Sequence, residues 1–398
     1  MLSISHRGSI MPASPIRKLV PYAELAKSKG VNIYHLNIGQ PDIETPKEVL
    51  DAVRHSDFKI LEYSHSAGNE SYRHKLVEYY RSVNIDITYQ DIIITTGGSE
   101  AILFGFMSCL DAGDEVIIPE PFYANYNGFA VAADVLVKPI TSSIETGFML
   151  PPIADFEKAI TGKTKAIIIC NPNNPTGYLY TPAEMQVLKD IVLKHNLYLF
   201  SDEAYREFCY EGEHFSAMQL EGAEDNVIMM DTISKRYSAC GARIGALVTR
   251  NKKVTETVLK FAQARLSPPT FGQIIGEAAI DLPLDYFEET KAEYKRRRDL
   301  IVKRLNDMPG VFCPQPGGAF YAMASLPIDD SDKFCQWLLE SFSHDGATVM
   351  LAPATGFYGT EGLGKKEVRL AYVLNCDAIN KAMDCLAKAL EIYPGKTI

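Results

Sequence analysis

At 398 residues the chain is longer than one ordinary domain and fits two or three. With 46% hydrophobic and 23% charged residues it can build a sizeable core, while a net charge of -10 gives no global positive field for nucleic acid or an anionic membrane. No run approaches the roughly 18 apolar residues of a membrane span, and the eight cysteines include no Cys-x-x-Cys pair, so we expect a cytoplasmic protein in a reducing compartment that binds small molecules and no metal.

In chain order, an irregular, basic-tinged arm runs through Pro12 and Pro15 to a helix expected over 22–29, which Gly30 stops. Ile33 to Ile38 reads as a strand entering the turn Gly39-Gln40-Pro41-Asp42. A short helix over 46–54 has Thr45 as its expected N-cap and Pro46 at its first position. Tyr63 opens a loop of small residues before a helix over 71–82, and 91–95 is the first strong core strand. Further strands are expected over 115–118, 135–140, 165–170, 197–201, 227–231 and 244–249, with helices at 99–111 and 182–195. Such alternation predicts an α/β fold whose mostly parallel sheet is covered by helices on both faces.

Beyond Leu282-Pro283 the pattern changes. A long charged helix spans 286–305, with Lys295-Arg296-Arg297-Arg298 expected on a solvated face. Strand-like runs at 311–323, 348–352 and 368–372 precede an amphipathic helix over 377–393, forming a smaller α+β domain that the first forty residues join. The expected division is therefore 1–47 as arm and part of the small domain, 48–285 as the large domain, and 286–398 as the small domain.

Four segments carry chemistry. Thr95-Thr96-Gly97-Gly98-Ser99-Glu100 links a strand to a helix, where glycines let backbone N–H groups approach an anion, though a plain turn needs the same residues. Asn171-Pro172-Asn173-Asn174-Pro175-Thr176-Gly177 is a stiff turn rich in amide side chains. Asp202, ending a core strand three residues before Tyr205, suits either a helix cap or a buried partner for a cationic nitrogen. Asp231-Thr232-Ile233-Ser234-Lys235, followed by Arg243, delivers hydroxyls, an amine and a guanidinium beyond another strand. A lysine there can condense with an aldehyde, and Thr232, Ser234 and Arg243 suit a phosphate; a solvated loop is the competing view.

In this order and spacing, the segments resemble the fold-type I pyridoxal-phosphate aminotransferases of class I/II, the aspartate aminotransferase-like group, from about Asn32 to the last helix. The resemblance implies pyridoxal 5'-phosphate as cofactor, amino-acid and 2-oxo-acid substrates, a ping-pong cycle, and a homodimer with a shared active site. Lys235 would form the Schiff base and move the substrate's proton, Asp202 would face the ring nitrogen, and Asn174 and Tyr205 would bond the ring's O3′. Gly98, Ser99, Thr232 and Arg243, helped by Ser234, would hold the phosphate, and Tyr123 would stack on the ring. Phe122 and Tyr126 are expected to be packing. Arg369 would bind the substrate's α-carboxylate with Gly39 and Asn174 beside it, and Tyr63 would reach the neighbouring subunit's phosphate. Cys240-Gly241-Ala242 departs from the Thr-Gly-Trp common in relatives, and Thr232 stands where many carry Ser. Aspartate is the first expected donor, with Arg265 either holding its distal carboxylate or lying on the surface. A carbon–sulfur lyase or other elimination enzyme on the same scaffold is the alternative. A regulator carrying an aminotransferase-like domain is remote, since only about thirty residues precede the resembling region.

Overall fold

The computed structural model describes residues 2–283 and 285–397. Strands β1 (Asn32–His35), β2 (Ile92–Thr95), β3 (Glu115–Glu120), β4 (Leu136–Thr141), β5 (Thr164–Cys170), β6 (Tyr198–Asp202), β7 (Val227–Thr232) and β8 (Gly245–Val248) occupy the first two-thirds of the chain. Strands β9 (Tyr321–Ser325), β10 (Ala347–Met350), β11 (Ala352–Pro353) and β12 (Glu367–Ala371) follow.

Seven strands form one sheet in the order β2-β8-β7-β6-β5-β3-β4, with β8 antiparallel to both neighbours and the remaining pairings parallel. Their apolar runs lie between two helical layers. In β2, Ile92 and Ile94 join the core with Tyr72 and Leu188, while Ile93 between them joins Phe104 and Val258 on the opposite face. Helices Glu70–Ser82 and Pro182–His195 cover the first face, and Gly98–Cys109 with Lys252–Arg265 cover the second. The result is the α/β sandwich expected from strand–helix alternation. One interval differs: only a 3-10 turn, Ala217–Gln219, lies between β6 and β7.

The rest of the chain forms a second core. Strand β1 pairs in parallel with β10, and β11-β12-β9 make a small antiparallel sheet. Leu19, Ala23, Ala26 and Ile33 from the N-terminal segment pack with Phe334, Leu338 and Leu386.

Three local expectations need correction. Thr45 does not cap its helix, because its hydroxyl donates to the Ser238 carbonyl at 2.7 Å and the Lys47–Arg54 helix has no side-chain cap. The run over 311–323 is a strand only from Tyr321; before that the chain makes isolated bridges, Phe312 to Ser325 at the end of β9 and Gly318 to Cys209 in a loop. Arg297 and Arg298 are buried rather than solvated. Arg297 pairs with Glu293 and Asp42, while Arg298 donates to the Pro316 carbonyl and pairs with Glu211 and Asp299. Burial of a guanidinium demands such partners, and each arginine finds one acid on its own helix and others on segments distant in sequence.

Candidate active site

The carboxyl ends of β2, β5, β6 and β7 open on one cavity of about 660 Å³. Open α/β sheets place ligands at such strand ends because the helices that follow present unpaired N–H groups there. Gly39, Gly98, Ser99, Tyr123, Asn174, Asp202, Tyr205, Thr232, Ser234, Lys235, Arg243 and Arg369 line the cavity together. Of the site residues expected from the sequence, only Tyr63 stands apart, 78% exposed and outside the cavity lining.

One end of the cavity is an anion cradle. The helix Gly98–Cys109 starts there without a side-chain cap, after Gly97 at φ 77°. A Cβ on Gly97 would lie 2.5 Å from Arg243 Nη2, so glycine admits the guanidinium as well as the turn. Arg243 itself has a left-handed backbone, φ 53°, and its Nη1 donates to the Cys240 carbonyl at 2.9 Å. The Thr232 and Ser234 hydroxyl oxygens stand 2.8 Å apart beside it. Backbone N–H groups, two hydroxyls and a guanidinium thus face the same space, as a phosphate requires.

Asp202 lies on the same cavity wall, at the end of β6. Its Oδ2 accepts from the Tyr126 hydroxyl at 2.9 Å and its Oδ1 from the Ala204 N–H at 3.2 Å. Tyr126 therefore does more than pack. Burial raises the Asp202 pKa to about 6, against the lowering effect of those two hydrogen bonds. A cationic ring nitrogen presented to this carboxylate would favour its charged form. Because 3.8 is the ordinary value and about 6 the folded one, the native apoprotein binds more protons than the unfolded chain between them, and stability falls as pH rises through that window. Asp202→Asn removes the effect. Relative to wild type, the variant apoprotein should gain roughly 1–3 kcal/mol at pH 8 and nothing at pH 3.5 in urea unfolding; an equal difference at both pH values would refute this account.

Lys235 lines the same cavity. The short helical turn Ile233–Arg236 separates adjacent side chains by about 100°, so Lys235 reaches the cavity while Arg236 turns into the core. Lys235 Nζ donates to the Gly39 carbonyl at 3.1 Å and lies 3.7 Å from Cys240 Sγ. Arg236 grips Asp231 with two hydrogen bonds of 2.7 and 3.0 Å, and the Tyr80 hydroxyl donates to the same carboxylate at 2.7 Å. Burial works to raise Asp231, but Arg236 and Arg206 outweigh it and hold the carboxyl at about 2. This buried ion pair fixes the strand end from which Lys235 projects.

Arg369 enters from β12 and is buried. Its Nη1 donates to Asn174 Oδ1 at 3.0 Å and its Nη2 to the Asn37 carbonyl at 2.6 Å. Tyr321 and Phe357 hold its flat faces, with ring centroids 4.5 and 4.8 Å from Cζ. Arg369 Nε is a buried donor without a hydrogen-bond partner among the described residues. The Tyr205 hydroxyl meets that of Tyr321 at 3.0 Å.

Tyr126, Tyr321 and Asn37 are functional neighbours that sequence reasoning missed. Tyr126 read as core because it is an aromatic on an apolar helix face; Tyr321 and Asn37 lie in otherwise ordinary strand and turn patterns. A Cβ on Gly39 would lie 1.8 Å from the Tyr321 hydroxyl, so the glycine after the first strand and the β9 tyrosine fit each other across the site. Arg265 does not reach the cavity. Its Nη1 binds Glu100 at 2.6 Å, and its Nη2 donates to the carbonyls of Ser66 and Ile94 at 3.1 and 3.3 Å.

The family profile for aminotransferase class I and II matches residues 31–345. The chain belongs to the class I and II aminotransferases. An aspartate aminotransferase from Pyrococcus horikoshii is 34% identical, with 98% of this chain and 97% of that one aligned. An aspartate/prephenate aminotransferase from Thermus thermophilus is 31% identical over 98% and 99% of the two chains. A solved single-mutant aspartate aminotransferase from the same Thermus species superposes with a TM-score of 0.89, at 29% identity, covering 98% of this chain and all of its own. As an aminotransferase of this family, the protein uses pyridoxal 5'-phosphate to move an amino group from an amino acid to a 2-oxo acid. The residues present fit that cofactor: the Gly97 cradle matches a phosphate, Asp202 a cationic ring nitrogen, and Lys235 an aldehyde.

Proposed function

We propose that this enzyme is an aspartate-using aminotransferase in which Lys235 is the proton carrier and Arg369 the carboxylate receptor. The observation that carries the reading is the convergence of Lys235, Asp202, Arg243 and Arg369 on one cavity. Bound there, the cofactor would supply an aldehyde to capture the amino group and a ring to withdraw electrons from the substrate's Cα. Arg243, Gly98, Ser99, Thr232 and Ser234 would hold its phosphate, Asp202 would pair with the ring nitrogen, Asn174 and Tyr205 would serve O3′, and Tyr123 would stack on the ring. Arg369, steadied by Asn174 and the Asn37 carbonyl, grips the α-carboxylate with its remaining guanidinium N–H groups, and the Gly39 N–H adds a further donor. Lys235 Nζ, on the same cavity wall, would take the proton from the substrate's Cα and hold it for return.

Aspartate as donor is supported by the names of the Pyrococcus and Thermus relatives. Holoenzyme mixed with aspartate alone should convert spectrally to its amino form faster than with phenylalanine; faster conversion by phenylalanine, or none by either, would reject the donor assignment.

The working form is a cytoplasmic homodimer in which the partner subunit's Tyr63 completes the phosphate site. Supporting it, Phe58, Ile60, Leu61 and Tyr63 form an exposed apolar stretch of 46, 73, 53 and 78% exposure, unusual for a surface facing water. All eight cysteines are free thiols, in keeping with a reducing compartment. The segments 1–47, 48–285 and 286–398 serve as arm, cofactor domain and small domain. Sedimentation at micromolar concentration should give the mass of two chains, and a single-chain mass would remove the shared site.

A further inference from the structure

We propose that Arg17 reads a second carboxylate on the substrate, and so makes the enzyme selective for acidic amino acids and their 2-oxo counterparts. The proposal rests on the preceding reading that Arg369 takes the α-carboxylate. Its starting point is an imbalance of charge. Four cationic side chains line the cavity, Arg17, Lys235, Arg243 and Arg369, against a single acid, Asp202. Arg243 faces a phosphate, Lys235 an aldehyde and Arg369 an α-carboxylate. Asp202 is matched by the ring nitrogen, which leaves Arg17 without an anion. Among the described residues its guanidinium makes no hydrogen bond and no ion pair, whereas the adjacent Lys18 pairs with Asp332.

The backbone under Arg17 is anchored. Its N–H donates to Ser14 Oγ at 3.3 Å, and the 3-10 turn Arg17–Leu19 ends with Leu19 buried in the second core. The helix Val20–Ser28 continues from that turn and packs against Ser331–Glu340. A guanidinium on such a base, at a cavity already rich in positive charge, offers planar paired donors to a carboxylate. Ser14, also on the cavity wall, adds a hydroxyl. The competing arginine, Arg265, is already bound to Glu100 and two carbonyls.

The test compares unreactive acids binding to holoenzyme by calorimetry: succinate, with two carboxylates, and butyrate, with one. Wild type should prefer succinate by about tenfold or more, the equivalent of one charge-assisted hydrogen-bonded contact. Arg17→Met should collapse the succinate-to-butyrate ratio toward unity, and Arg17→Lys should restore part of it. The ratio of kcat/KM for aspartate over alanine should follow. A ratio within twofold of wild type in Arg17→Met, or wild type with no preference for succinate, overturns the role of Arg17. Failure of both acids to bind wild type would instead remove Arg369 as the carboxylate receptor, and the proposal with it.

Discussion

Replacing Lys235 by alanine should cut amino transfer by about 10⁴-fold or more, because both the amine that meets the aldehyde and the proton carrier are lost. The fold should hardly notice. Among the described residues Lys235 Nζ donates only to the Gly39 carbonyl and Cys240 Sγ, while the Arg236–Asp231 pair that fixes this strand end is untouched. A melting temperature within about 2 °C of wild type would therefore accompany the loss. Borohydride treatment of loaded wild type, followed by peptide mapping, should place the cofactor on the peptide containing residue 235, and the variant should carry no label. Label elsewhere in the wild type, or activity within tenfold in the variant, would leave the proposed roles of the neighbouring residues without support.

Arg369→Met should lower kcat/KM by about 30-fold to several-thousand-fold, corresponding to 2–5 kcal/mol for truncating one member of a buried, hydrogen-bonded charge pair. The defect should appear mainly in KM, since Arg369 holds the substrate in its ground and transition states alike. Cofactor affinity, measured by absorbance titration, should change far less, because among the described residues Arg369 makes no hydrogen bond to Thr232, Ser234 or Arg243 of the phosphate cradle. An unchanged KM for the amino donor would show that the α-carboxylate is held elsewhere. Together the two variants separate chemistry at Cα from capture of the substrate.

The candidate site was legible in the sequence where chemistry is concentrated in short segments. A glycine pair ahead of a helix, a stiff Asn-Pro turn, a carboxylate at a strand end and a Ser-Lys pair are each local, and strand–helix alternation is enough to bring their strand ends to one edge. Contacts between segments were less legible. Tyr126 looked like any core aromatic, yet its hydroxyl reaches Asp202, 76 positions away. Arg297 and Arg298 belong to a run of four basic residues that resembles a solvated face, and distant acids and carbonyls, added to acids on their own helix, make their burial tolerable. Arg265 carried two readings, and its ion pair with Glu100, 165 positions away, decided between them.

By itself the sequence determined the α/β class, through periodicity set by neighbours a few positions apart, and the family with its cofactor, through the resemblance carried by short strand-end segments. Only the tertiary structure decided which arginine is free to meet a ligand. That choice depends on where acids and carbonyls from remote segments come to rest: they occupy Arg265, Arg297 and Arg298 and leave Arg17 at the cavity wall.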